Sequence, residues 1–401
     1  MDKPTPDPRS LELVMQLMAI PGGSGDEAKV AEFIQTQLKK VGISPSDFSF
    51  DQAHKKSPTQ GQLGNMALKL PGTIKGPRRL LMAHMDTVPI CIGSRPVRKG
   101  GYVRSGNPDT GLGADNRAGC AVVLNTALTI LRERRPHPPL TFLWTVQEEI
   151  GLFGARFIKK SMLGKPALAF NWDGGNPTKV TLGATGGYRL QINIDGIASH
   201  AGNTPQNGVS AIAIAGLAIA DLQQQGWHGL IQKGKKRGTS NVGIIQGGDA
   251  TNVVTDHVYL KAEARSHDSK FRERIVREIE KAFSRACKSV KSADGKTGRV
   301  RIDGQLDYDS FRLDPSEPSV QAAVRAIEAC GQQPEMFVSN GGVDANWMSR
   351  HGIPTVTLGC GQMNPHMTTE QLDIAAYETA CQIGLQLGEG LGERRFPDGS
   401  R

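Results

Sequence analysis

Short apolar runs, each closing on ionisable residues, recur along this chain. Leu80–Ala83 runs into His84-Met-Asp86, and Leu140–Val146 runs into Gln147-Glu148-Glu149. Ala167–Phe170 runs into Asn-Trp-Asp173, and Pro354–Leu358 leads through Gly359-Cys-Gly to Asn364-Pro-His366. Unbroken apolar runs of this length predict strands buried on both faces, as in a sheet covered by helices. The expected fold class is α/β, a mixed, mostly parallel sheet flanked by helices. Residues 11–40 predict two helices broken at Pro21-Gly-Gly. Leu11, Val14, Met15 and Met18, then Val30, Phe33, Ile34 and Leu38, keep helical spacing, and Gly42 supplies a stop.

The middle of the chain follows another pattern. Arg189–Asp195 and Val258–Ala264 alternate as half-exposed strands do, and Val300–Leu306 predicts a closing strand. Pro205–Leu222 and Phe271–Val290 predict amphipathic helices. An α+β domain over 183–312 is therefore expected, inserted into a discontinuous catalytic domain of 1–182 and 313–401.

Composition narrows the classes. The 401 residues carry 48 Lys and Arg against 39 Asp and Glu, a formal charge of +9. Segment 183–312 alone carries 19 basic and 13 acidic residues, so most of the excess sits in the insert. Aromatic residues are only 5%, which weighs against single-strand nucleic-acid binding by base stacking. The polar, proline-rich Met1–Ser10 is not expected to be a signal peptide, and Ser210–Ala220 is too short to span a bilayer. The six cysteines are scattered without a CxxC pair, so small buried thiols in a cytoplasmic protein are expected. No nucleic-acid or membrane partner is expected.

The chemistry lies at the ends of the apolar runs, where α/β sheets gather their ligands. His84, Asp86, Asp115, Glu148, Glu149, Asp173 and His366 offer imidazole and carboxylate without thiolate, a donor set for Zn²⁺, Mn²⁺ or Co²⁺. So many carboxylates in one place call for cations, and a two-metal centre supplies them. Asp115, in the loop Gly111-Leu-Gly-Ala-Asp-Asn before a helix starting near Arg117, is the natural bridging ligand. Asp86, two residues after His84, can accept the other ring N–H and fix its tautomer. Adjacent Glu148 and Glu149 point in different directions, so one can ligate metal while the other acts as general base. Spacing alone leaves open which does which. Taken singly, each motif is commonplace; four strand ends bearing them argue for one site. Gly111-x-Gly-x-x-Asn lacks the third glycine of a dinucleotide fingerprint, and Gly-Gly-Ser24-Gly is not a nucleophile elbow.

These motifs resemble the co-catalytic zinc exopeptidases, the group of peptidase T, the aminoacylases, glutamate carboxypeptidases and desuccinylases. The resemblance rests on His84-Met-Asp86-Thr-Val-Pro89, Gly113-Ala-Asp115-Asn-Arg-Ala-Gly119 and Glu148-Glu149-Ile-Gly-Leu-Phe-Gly-Ala155. It is closest to peptidase T-like tripeptide aminopeptidases through Asp173-Gly-Gly, Ser199-His-Ala-Gly202, Gly247-Gly-Asp-Ala-Thr-Asn252 and Ser339-Asn-Gly-Gly-Val-Asp-Ala-Asn346. The resemblance implies two Zn²⁺ per chain, one held by His366, Asp115 and Glu149, the other by His84, Asp115 and Asp173. It implies Glu148 as the base that makes a zinc-bound hydroxide, and Asp86, which fixes the His84 tautomer, is counted with it as catalytic. It also implies a cis peptide after Asp115, His200 as oxyanion donor, and Asn252 and Arg265 as substrate contacts. The insert would be a lid and homodimerisation domain, hinged near 178–184 and 308–314. Asn116 and Gln147 depart from the pattern, standing where many relatives carry acids.

The activity implied is hydrolysis of small peptides, foremost removal of the first residue of tripeptides. An N-acyl-amino-acid deacylase or a carboxypeptidase uses the same centre and is the alternative. A non-catalytic basic binding module is the remote one, motivated only by the charge of the insert.

Overall fold

Three strands in the first half of the chain and one near its end build the part of the sheet that carries the chemistry. In the computed structural model, which describes residues 8–390, Leu140–Thr145, Arg79–His84, Leu168–Trp172 and Thr355–Leu358 lie side by side and parallel. Every residue of these four strands is buried. Met66–Leu70 and Phe48–Phe50 extend the sheet antiparallel beyond Leu140–Thr145. Lys179–Ala184 adds antiparallel to Thr355–Leu358 on the other side, so the sheet is mixed, as expected.

Alternation along a strand divides its side chains between two cores. Leu81 and Ala83 join the larger core with Val122, Trp144, Trp172 and Ile383. Leu80 and Met82 face the opposite way, with Leu143, Met162, Leu163 and Met348. Helices Pro8–Ala19, Ala28–Lys39, Ala114–Glu133, Pro318–Ala329 and Ile374–Glu389 supply the first core. Full burial of each large apolar side chain is worth about 1.5–3 kcal/mol, so both faces hold the strands in place. The second helix ends at Lys39, and Gly42 follows at φ 94°, the stop read from the sequence.

The chain divides into two compact units. Among the described residues, one draws on 8–183, 312–339 and 343–390, the other on Ala184–Phe311 and Asn340–Gly342. The second unit is an antiparallel sheet ordered Gly229–Lys233, Lys236–Gly247, His257–Ser266, Gly186–Asp195, Arg299–Tyr308. Helices Ala211–Gln224 and Ser269–Ser289 pack on it through Leu190, Ile192, Ile194, Ile214, Ile279 and Phe283. The helix expected from Pro205 begins later. Pro205–Asn207 is a separate turn, and the Ser210 side chain caps the helix by accepting the Ala213 N–H at 3.1 Å. The strands Gly229–Lys233 and Lys236–Gly247 had no clear apolar alternation, because much of this hairpin is exposed on both faces.

Candidate metal centre

The parallel strands deliver their last residues to one end of the sheet. His84 ends its strand and is 1% exposed. Its Nε2 lies 3.4 Å from Asp115 Oδ1 and 4.0 Å from Asp173 Oδ1. Its Nδ1 lies 3.3 Å from Asp86 Oδ1, the contact that fixes the ring. Asp115 precedes the regular part of its helix, and the Asp115–Asn116 peptide is cis, as the resemblance implied. Its other oxygen, Oδ2, lies 3.4 Å from His366 Nε2, which also sits 3.0 Å from Glu149 Oε2. Two donor groups therefore share one carboxylate: His84, Asp115 and Asp173, and Asp115, Glu149 and His366, each with ligand atoms within 4.8 Å of one another. His84, Glu148 and Glu149 form a third such group.

The electrostatics explain why cations fit. Burial, reinforced by Asp115, pushes the Asp173 carboxyl up to about 8. Burial raises Glu148 well above the ordinary range, against the pull of His84 and with the push of Asp173, Glu149 and Asp344. Burial also raises Glu149, although His366 opposes it. Hydrogen bonding to Asp115 and Glu149 lifts His366 to about 10. Asp115 is disfavoured as an anion by burial, yet contacts with His366 and His84 hold it below its usual value. Asp115 Oδ1 is buried and makes no hydrogen bond. Crowded acidic groups, two imidazoles and an unsatisfied carboxylate oxygen between them form a donor set that could hold two cations.

Supporting residues have equally definite partners. Asp86, fully buried, accepts the Glu148 N–H at 3.0 Å and the Glu149 N–H at 3.1 Å, as well as approaching His84. Ser24 donates to Asp86 Oδ2 at 2.6 Å. The sequence reading discarded Ser24 as a nucleophile and missed this role. Glu370 was missed altogether. It is 1% exposed and accepts the N–H groups of Leu112, Gly113 and Asp115 at 2.8, 2.7 and 2.9 Å. It therefore binds the Asp115 loop to the segment that carries His366. Asn116, which departs from the family pattern, has a structural use. It donates to the Trp172 carbonyl at 2.6 Å and accepts the Gly119 N–H at 3.1 Å. A cavity of about 230 Å³ opens beside Asp173, lined among others by Lys179, Phe337, Val343 and Leu358.

His200, Asn252 and Arg265 belong to the second unit. His200 Nδ1 accepts the N–H groups of Gly202 and Asn203 at 3.1 and 3.0 Å, so the neutral ring carries its proton on Nε2. The Asn252 carbonyl accepts the Ala201 N–H at 2.9 Å, which brings Asn252 beside His200. Arg265 is held bidentately by Glu263, both bonds 2.9 Å.

A mixed α/β sheet carrying two His/carboxylate groups that share Asp115 is an arrangement that could hold two metal ions. Residues 80–389 match Peptidase family M20/M25/M40, and the chain belongs to that family. A tripeptidase from Staphylococcus aureus superposes with a TM-score of 0.84 at 29% identity, covering 96% of this chain and 98% of that one. Aminopeptidase PepT from Bacillus cereus gives a TM-score of 0.79 at 30% identity, with the same coverage. Carboxypeptidase G2 from Pseudomonas sp. is 28% identical over 396 residues, 96% of this chain and 90% of the relative. The chain is a hydrolytic peptidase of this family.

Proposed function

We propose that this protein removes the N-terminal residue from tripeptides with two Zn²⁺ held by His84, Asp115, Asp173, Glu149 and His366. The observation that carries this reading is Asp115, whose two oxygens each approach a different histidine. Bound there, the cations would supply Lewis acidity toward the scissile carbonyl and acidify a water. Glu148 takes the proton of that water and returns it to the departing amine. Burial raises its proton affinity, so the ionised carboxylate is a stronger base toward that water and holds the proton until the amine takes it. Asp86 keeps the His84 ring oriented and the glutamate pair aligned. His200 offers its Nε2 proton to the developing oxyanion, Asn252 holds a substrate polar group, and Arg265 receives a carboxylate in exchange for Glu263.

The deacylase or carboxypeptidase reading stands second, favoured by the likeness to carboxypeptidase G2. A panel of tripeptides, dipeptides and N-acetyl amino acids separates the two, run on zinc-loaded and chelator-stripped protein. Release of the first residue from tripeptides, abolished by chelator, is expected; preferential cleavage of N-acetyl amino acids rejects the aminopeptidase reading. Glu148→Gln should lower kcat at least ~100-fold, within the range of general-base losses, while elemental analysis still finds two zinc per chain. Near-normal turnover in that variant rejects the base assignment.

The protein is also proposed to be a cytoplasmic homodimer joined through the inserted domain. Free thiols at all six cysteines support the compartment. Among the described residues, no helix is long and apolar enough to cross a membrane. The dimer reading is supported by Ile212 and Leu217, 48% and 50% exposed on one helix, and by Ile245, 52% exposed on a strand. Sedimentation equilibrium tests it, with a single 43.1 kDa species as the contrary result.

A further inference from the structure

We propose that the N-terminal loop Gly22–Glu27 is part of the catalytic centre, with Ser24 and Glu27 as positioning residues for Glu148 and Glu149. The inference rests on the two-metal peptidase reading above. The family match begins at residue 80, so this loop lies outside it.

Three consecutive backbone N–H groups follow the strand Leu140–Thr145 and its Val146, and each ends on a buried carboxylate. Glu27 Oε1 accepts the Gln147 N–H at 3.1 Å, and Asp86 accepts those of Glu148 and Glu149. Both carboxylates are fully buried. Gln147 sits at φ 55°, a left-handed conformation that is unfavourable for a non-glycine residue. That single turn sets where the next two side chains point. Its side chain is held too, by donation to the Gln60 carbonyl. The hydrogen bond to Glu27 helps to hold that turn.

The loop reaches the other ligand-bearing segments as well. Ser24 holds Asp86, and the Gly22 carbonyl accepts the Thr87 N–H at 3.2 Å. Arg117, 1% exposed and two residues beyond Asp115, donates to the same Gly22 carbonyl at 2.9 Å. A Cβ at Gly22 would lie 2.6 Å from the Arg117 guanidinium, so the loop closes against it. One loop thus touches the segments bearing His84, Asp115 and the glutamate pair. Glu27 keeps its own shape by accepting the Gly25 N–H at 2.9 Å.

The test compares full-length Glu27→Ala, Glu27→Gln and Ser24→Ala with the parent. The readouts are kcat and KM on a cleaved peptide, zinc affinity by titration calorimetry, and thermal midpoint. Removal of a group that orients metal ligands costs about 10–100-fold in affinity or activity. Glu27→Ala is expected to lose roughly that much in kcat with KM within about 3-fold, and to bind the weaker zinc at least about 10-fold less tightly. Glu27→Gln retains an acceptor oxygen and should come back to within about 5-fold of the parent in both. Ser24→Ala should shift kcat and zinc affinity the same way, about 10-fold, and carries the test if Glu27→Ala does not fold. Equal behaviour of the Ala and Gln variants overturns the proposal. So does unchanged zinc affinity in folded Glu27→Ala and Ser24→Ala. If no peptide is cleaved but the order of zinc affinities holds, the peptidase reading fails and the positioning role stands.

Discussion

A single carboxylate, Glu370, carries much of the geometry around Asp115. It takes the N–H groups of Leu112, Gly113 and Asp115, where the loop enters the helix Ala114–Glu133. Its Oε2 also receives the Cys91 thiol at 3.5 Å. Glu370→Gln keeps the volume but turns an NH₂ toward backbone donors. One buried unsatisfied donor costs about 1–3 kcal/mol. The expected result is a lower urea midpoint and a loss of about 10–100-fold in zinc affinity, measured by calorimetry on folded protein. A variant that melts earlier but binds both zinc ions as tightly as the parent would reduce Glu370 to a purely structural brace. Residue type does not announce such a role. An acid that accepts backbone N–H groups looks, in a sequence, like any solvated acid. The same holds for Glu27 and Ser24, whose partners are Gln147 N–H and Asp86. His84, Glu148, Glu149 and Asp173 were legible because each closes an unbroken apolar run, and Asp115 because it stands in a glycine loop before a helix.

At the level of elements, that legibility has a physical limit. The four parallel strands are buried on both faces, so apolar residues fill them without interruption and their ends stand out. The strands Pro96–Lys99 and Lys236–Gly247 are largely exposed, and their mostly polar sequences carry no period. Helix starts are also set by caps rather than by apolar spacing, which is why the helix read from Pro205 begins at Ala211. The long helix Ser269–Ser289 is capped by Asp268, whose Oδ1 accepts the Phe271 N–H at 3.0 Å. Asp268 also pairs with Lys236 of the neighbouring strand. The Lys236 hydrogen bond, then that of Phe271, hold its carboxyl below the ordinary value of 3.8. A carboxyl with a lowered folded pKa contributes stability above the unfolded pKa and loses it as pH falls. Asp268→Ala should therefore cost about 1 kcal/mol at pH 7, the usual worth of an N-cap. The gap between parent and variant should shrink below about pH 4, close to the unfolded carboxyl pKa. Chemical denaturation at both pH values measures it; a gap that persists at low pH would remove the carboxylate from the account.

For the whole molecule, the central fact is charge. The formal +9 is concentrated in the inserted segment, while the site in the other unit is dense with carboxylates. Without cations, burial raises Asp173 to about 8 and lifts Glu148 and Glu149 as well. An acid whose folded pKa is raised stabilises the fold below its unfolded pKa, near 4, and that contribution is lost as pH rises through the folded value. Stripped protein should therefore melt progressively earlier between about pH 5 and 8. Cations reverse the sign of the local field, and their binding to the folded chain releases these protons. Ligands that bind only the folded state raise its stability in proportion to the logarithm of their saturation. The melting difference between zinc-loaded and chelator-stripped protein should consequently widen with pH over that window. Calorimetric scans of both forms from pH 5.5 to 8.5, about the span set by these pKa values, measure the widening directly. Parallel curves would mean that the buried carboxylates do not share their charge with bound metal. The two-cation reading of the Asp115 cluster would then fall, whatever the peptide assays report.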